Sequence, residues 1–238
     1  MTLASAKNSG ANDWNSAFPG GEASRAVSFL SEIWEELSTA KPEKFNPRYR
    51  ENTHTEFLHC YLDMHSVSRG RLTGRWINEE PHAILDDPLS DCPIVIKRIR
   101  KDVTYFSNAN NVRLTLVFEF KKLSPNRRSW ATYAGEEGMG RFVGGEYSKN
   151  EPVAVMVGMV IGDNFETVNG LQEKLSGSAM VGALKMIAQH NGVAVSSPSK
   201  IFPKNAIFDT EHFRTPDKAP AGGVSIRLAH LFLQMPSV

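Results

Sequence analysis

Cysteine is nearly absent: Cys60 and Cys92 are the only two in 238 residues. Two are too few for a disulfide framework, and neither sits at a metal-ligand spacing. Both read as reduced thiols of a cytoplasmic protein, packed as small hydrophobes. Long apolar runs are missing too. No stretch reaches the ~18 residues of a membrane span, so no membrane partner is expected. The first 20 residues are rich in Asn, Ser, Gly and Ala. They lack the apolar core of a secretory signal and read as a flexible lead-in. Neither sign of charge is in excess: 27 Lys and Arg against 26 Asp and Glu leave +1. That excludes a global basic field for nucleic acid, but leaves room for a basic patch on one face. Zinc-type histidine spacing, a phosphate-binding Gly-Lys-Ser/Thr loop, a dinucleotide fingerprint and a nucleophile elbow are all missing.

What is present is an ordinary globular balance, 41% hydrophobic and 22% charged. After the lead-in, residues 21–238 read as a single domain. A stripe of Val27, Leu30, Ile33, Trp34 and Leu37 predicts an amphipathic helix over 22–38. Pro42 and Pro47 end that pattern. A second helix is expected over 53–65, with Phe57, Leu58, Tyr61 and Leu62 on its apolar face. Thr53 and Glu56 have the spacing of a capping box at its start. Residues 68–93 read as irregular, with strand fragments and turns, then 93–107 and 112–123 as two antiparallel strands joined through the Asn-rich 108–111. A helix is expected within 134–147 and a buried strand over 153–162. A helical stretch over 163–190 is interrupted near Gly177, 192–223 is mostly loop, and 224–235 is a last strand. Strands alternating with helices predict an α/β domain around a mixed sheet.

The stretch "LVFEFKKL" carries the most chemistry. Strand periodicity sends Glu119 and Lys121 to one face and Leu116, Phe118 and Phe120 to the other. A half-exposed strand with a surface ion pair explains that pattern. Asp102 supplies a second explanation. It lies 17 positions earlier on the preceding strand, and antiparallel pairing brings it toward Glu119. Two adjacent carboxylates repel unless a cation lies between them. Mg²⁺ or Mn²⁺ suits such a pair, and Lys121 would face the same spot.

Asp102 followed by Glu119-Phe120-Lys121 after an apolar run resembles the signature of the PD-(D/E)xK nuclease superfamily. That superfamily includes restriction endonucleases, junction resolvases and phage-defence nucleases. The resemblance implies a restriction endonuclease-like mixed sheet flanked by helices, with an αβββαβ core over about residues 50–235 and an N-terminal helical extension. It places metal ligands at Asp102 and Glu119 and the catalytic lysine at Lys121. Some members add a glutamate from the first core helix. Glu56 is the nearest candidate, with Glu51 behind it, though Glu56 serves equally as a helix cap. Lys101 stands where the family often has proline.

Basic residues surround this signature. Arg98 and Arg100 share strand parity with Asp102, and Arg127 and Arg128 follow the catalytic strand. All four read as contacts to a nucleic-acid backbone, or as solvated charge at an edge and a turn. The glycines of 135–147 read as close packing of a helix on the sheet or as a loop near substrate, with Arg141 and Tyr147 able to face the site. His212 and Arg214 read as a loop pair for phosphate or as plain connection; His230 reads as a satisfied core histidine. The expected function is a Mg²⁺- or Mn²⁺-dependent DNA endonuclease in a bacterial defence or restriction system, RNA remaining open as substrate. The alternative is a catalytically silent nucleic-acid-binding or scaffold subunit on the same fold. A homodimer suits cutting of both strands, and a partner protein of a defence complex suits the scaffold reading.

Overall fold

A computed structural model describes residues 18–66, 68–70, 72–85, 95–108, 112–148, 150–188, 192–214 and 225–237, with the side chains of 79–85 and 95–100 left aside. The elements are α1 (Gly20–Ala40), α2 (Glu51–Ser66), β1 (Arg75–Leu85), β2 (Val95–Ser107), β3 (Leu114–Leu123), α3 (Arg127–Ala134), α4 (Met139–Val143), β4 (Val153–Val160), α5 (Asn164–Ser176), α6 (Ser178–Ala183), β5 (Val195–Ser196), β6 (Ala206–Phe213) and β7 (Ser225–Gln234). Residues 1–17, most of the expected lead-in, Cys92 and the connection at 109–111 lie outside the described residues. Among the described residues no helix is long and apolar enough to cross a membrane.

One seven-stranded mixed sheet, in the order β1-β2-β3-β4-β7-β6-β5, forms the centre, and helices flank it. The first three strands form an antiparallel meander; β4 then runs parallel to β3, and β7 parallel to β4. The expected antiparallel pair of strands is therefore present, and the helical stretch breaks at Gly177 as its pattern implies. Both faces of β3 are buried. Leu116, Phe118 and Phe120 join a core with Leu30, Ile33 and Trp34 of α1 and Leu58 and Leu62 of α2. Val117 and Leu123 join a second core with Tyr133, Phe142 and Leu171. A half-exposed β3 is thus excluded.

Three local readings are corrected. Helix α2 starts at Glu51, and the Thr53 N–H donates to the Arg50 carbonyl (3.1 Å). Thr53 is therefore inside the first turn, and the Thr53–Glu56 capping box does not form. The helix expected within 134–147 is present as α4, and α3 precedes it. Asn126 starts α3 by accepting a hydrogen bond from the Ser129 N–H at 2.9 Å, a capping signal in "SPNRRS". Finally, the strand fragments expected within 68–93 form one continuous strand, β1, and β6 runs through a segment read mostly as loop. Pro81 is tolerated because β1 is an edge strand. In β6 the apolar pattern is interrupted by Asp209, whose carboxylate accepts bonds from Ser199 Oγ and the Lys200 and Ile201 N–H groups.

A buried carboxylate also fastens α1 to the sheet. Glu22 accepts from the Tyr105 hydroxyl, the Thr73 hydroxyl (2.9 Å) and the Thr73 N–H (3.2 Å), and pairs with Arg25 at 2.5 Å. Burial works against its charge, but these donors outweigh it and hold the carboxyl down at about 2. Glu22→Ala leaves the Tyr105 and Thr73 donors without their acceptor. The expected cost is about 2–4 kcal/mol of unfolding free energy, measured by urea titration at pH 7.

Candidate active site

The site is created where β2 parts from β3. Their pairing runs from Ser107↔Leu114 to Val103↔Phe118 and stops, while β2 stays paired to β1 as far as Val95. The edge of β3 facing this gap would carry unpaired backbone groups, which are costly in a buried strand. Charged side chains take their place. The Phe120 N–H donates to Asp102 Oδ2 at 2.9 Å, and the Lys122 N–H to Glu51 Oε2 at 3.0 Å. The Phe120 carbonyl accepts from the Lys121 ammonium at 2.8 Å.

The same ammonium sits among the acids. Lys121 Nζ lies 2.8 Å from Glu119 Oε1 and donates to Glu51 Oε1 at 2.9 Å. Glu119 is fully buried, and neither of its oxygens has an aligned hydrogen-bond donor. Its contact with Lys121 is therefore one of charge at close range. Arg141, on α4, brings a second cation to 3.7 Å from Glu119 Oε1.

Electrostatics follow from this packing. Burial first, and then the neighbouring Asp102, push the Glu119 carboxyl up to about 8. Burial also lifts Asp102, to about 6, against the pull of Lys121 and the Phe120 N–H. Burial opposes charge on Lys121 as well, but Glu119, Glu51 and Asp102 together win, and the ammonium is held above its ordinary range. It stays charged at neutral pH.

The donor set can be compared with a divalent cation. Among the described residues no group of three or more His, Cys, Asp or Glu side chains is gathered to hold a metal ion. Mg²⁺, however, is commonly held by one or two carboxylates, with water and phosphate completing the shell. Asp102 and Glu119 supply two carboxylates, and Oε2 of buried Glu119, the oxygen for which no donor or cation is at hand, is what such an ion would satisfy. The residues present fit the ion.

Asp102, Glu119 and Lys121 thus converge on one spot. Glu56 does not join them. It is exposed, and five residues along a helix turn it about 140° away from Glu51. Glu51, at the very start of α2, is the glutamate that reaches the cluster. Arg127 and Arg128 are exposed in the first turn of α3, just beyond the end of β3. The side chains of Arg98 and Arg100 lie outside the described residues.

Other expectations change. His212 lies in β6 and is fully buried, so it is not a loop ligand for phosphate. Arg214 is buried as well, donating to the Ser148 and Glu151 carbonyls. Cys60 is exposed instead of packed. His230 is a satisfied core histidine, bonded to Tyr133 and Thr210. Arg141 is the contributor whose importance spacing alone did not reveal. No family model, curated protein or solved structure matches this chain.

Proposed function

We propose that this chain is a divalent-metal-dependent phosphodiesterase of the PD-(D/E)xK type, cutting DNA in a defence or restriction setting. The observation that carries the reading is the gap between β2 and β3, where Asp102, Glu119 and Lys121 meet and Glu119 Oε2 is left buried without a donor. The order of α2, three meandering strands, a helical segment and a parallel β4 supports the reading of a restriction endonuclease-like core.

Asp102 and Glu119 are the residues that would hold Mg²⁺ or Mn²⁺, and such an ion would stabilise charge on the phosphoryl group and favour ionisation of the attacking water. Lys121 is kept protonated by its acidic neighbours. It therefore acts through positive charge, neutralising the phosphorane-like transition state, and not as a general base. Glu51 holds the ammonium at its post. Hydrolysis adds a hydroxyl to phosphorus and returns a proton to the leaving oxygen. Exposed Arg127 and Arg128 offer charge to a nucleic-acid backbone at this end of the sheet.

The test is cleavage of duplex DNA with Mg²⁺ or Mn²⁺ by the wild type and by Asp102→Ala, Glu119→Ala and Lys121→Ala. Each substitution is expected to lower the rate by about 10³-fold or more, the scale of removing charge stabilisation from a transition state. Cleavage by purified Glu119→Ala at the wild-type rate overturns the assignment. DNA binding without cleavage, and without any cation-induced rise in stability, would mark a silent binding subunit on the same fold.

Cation binding also moves protons. Burial and the neighbouring Asp102 favour the protonated form of Glu119, and burial favours that of Asp102, whereas both must be ionised as ligands. Mn²⁺ binding at pH 7 is expected to release about one proton. Its affinity should rise with pH up to about 8, where Glu119 ionises. Calorimetric titration in buffers of different ionisation enthalpy checks both.

A further inference from the structure

The Arg141 guanidinium stands beside the acid cluster in a pose that its own segment is built to hold. Nη1 donates to the Tyr147 hydroxyl and Nη2 to the Glu137 carboxylate. The guanidinium carbon lies 5.1 Å from the centre of the buried Tyr147 ring, a cation–π contact. Two of five N–H donors are engaged in these bonds; the 3.7 Å approach to Glu119 is too long to be a third. The side chain remains 22% exposed, whereas Glu119 is sealed. Arg141 therefore joins the solvent to the buried acids.

The glycines that frame α4 make this approach possible. A Cβ at Gly138 would lie 2.1 Å from the Tyr133 carbonyl oxygen, and one at Gly140 would lie 2.9 Å from that of Gly135. The Gly140 N–H donates to the Gly135 carbonyl at 2.9 Å, which closes the turn. Gly145 adopts φ 70°, a left-handed conformation that suits glycine. The chain then returns so that Tyr147 lies against Arg141. A glycine-rich stretch without a nucleotide fingerprint thus has a purpose: it brings one arginine against the sheet at Glu119.

We infer that Arg141 binds a phosphate oxygen of the substrate, forming with Lys121 a pair of cations beside Glu119 Oε1. The inference rests on the phosphodiesterase reading and extends it to a substrate contact. A guanidinium suits this task because its planar donors match phosphate oxygens in pairs. The Tyr147 and Glu137 contacts fix the plane before substrate arrives, so little ordering is left to binding. Lys121 lies deeper and donates to Glu51 and the Phe120 carbonyl. Arg141 is the cation an incoming backbone meets first.

The experiment measures duplex DNA affinity by fluorescence anisotropy across salt concentrations in EDTA, and cleavage in Mn²⁺, for wild type, Arg141→Ala, Arg141→Lys and Glu119→Ala. Arg141→Ala is expected to reduce the slope of log affinity against log salt by about one, the signature of one lost phosphate contact. Its kcat/KM should fall about 10²-fold. Arg141→Lys should restore the slope and only part of the rate, since it keeps the charge and loses the paired donors. A slope unchanged in Arg141→Ala overturns the inference, whatever happens to cleavage, and so does a wild type that binds no DNA. Equal cleavage by wild type and Glu119→Ala instead overturns the phosphodiesterase reading, with the salt slope still deciding whether Arg141 touches phosphate.

Discussion

Glu119→Gln is expected to lose cleavage and gain stability in alkaline solution. The loss should reach about 10³-fold, because the amide cannot supply the charge of a cation ligand. The gain follows from the sign of the shift. The folded Glu119 carboxyl titrates near 8, well above its ordinary 4.5, so the native state binds the proton more tightly than the unfolded one. Wild-type stability must then fall as pH rises through that window, by up to about 1.4 kcal/mol per pH unit, and level off above it. Asp102, raised from 3.8 to about 6, adds a loss of the same sign lower on the pH scale. Glutamine carries no charge and escapes its share. In EDTA, denaturant titrations from pH 5 to 9 should show the two proteins converging at pH 5 and the variant ahead at pH 9. Mn²⁺ should restore the wild type at pH 9 and leave the variant unmoved. Parallel stability curves for the two proteins would contradict the burial of an ionisable Glu119.

Acid should act through a different part of the core. Four buried side chains form a chain of hydrogen bonds whose direction is fixed at one end. The Leu184 carbonyl can only accept, so His212 Nδ1 carries the proton and donates to it at 2.8 Å. His212 Nε2 is then an acceptor and takes the Thr210 hydroxyl proton at 2.8 Å. Thr210 Oγ1 accepts in turn from His230 Nε2–H at 2.8 Å, leaving His230 Nδ1 to accept from the Tyr133 hydroxyl at 2.9 Å. Each histidine is neutral and in a single tautomer. Burial pulls His212 down to about 4 from 6.5, and pulls His230 down as well, with His212 adding to the effect. A depressed histidine contributes stability that is present above the unfolded value and lost as pH falls below it. For His212 the loss approaches about 3 kcal/mol by pH 4.

The acid cluster masks this decline, since Asp102 and Glu119 gain stability as pH falls. The prediction is therefore read in an Asp102→Asn/Glu119→Gln protein, whose stability should drop between pH 6.5 and 4.5. Thr210→Val in that background should cost about 2–5 kcal/mol at pH 7, by orphaning one ring donor and one ring acceptor. A neutral Thr210→Val would contradict the fixed tautomers.

The strands that carry the site were legible because they are apolar and regular. "LVFEFKKL" alternates cleanly, and Asp102 follows from antiparallel pairing with it. Which glutamate would join them was not legible, because that depends on where α2 begins. The Thr53–Glu56 spacing suggested a later start, and the shift to Glu51 changes the side chain that reaches Lys121. The role of Arg141 depends on a turn among glycines that has no periodicity to read. β6 was hidden because Asp209, Thr210 and His212 are polar yet buried, each satisfied by at least one partner outside the strand. The continuity of β1 was hidden by Pro81, which only an edge position excuses. Sequence patterns report burial of apolar groups well; burial of satisfied polar groups is decided by tertiary partners.

The most direct measurement is anomalous scattering from crystals soaked in Mn²⁺. A peak between the carboxylates of Asp102 and Glu119, absent from Glu119→Gln crystals grown and soaked alike, is the expected result. A wild-type map with no peak there, and with the Lys121 ammonium still lodged between Glu51 and Glu119, would show that these charges only seal the open edge of β3.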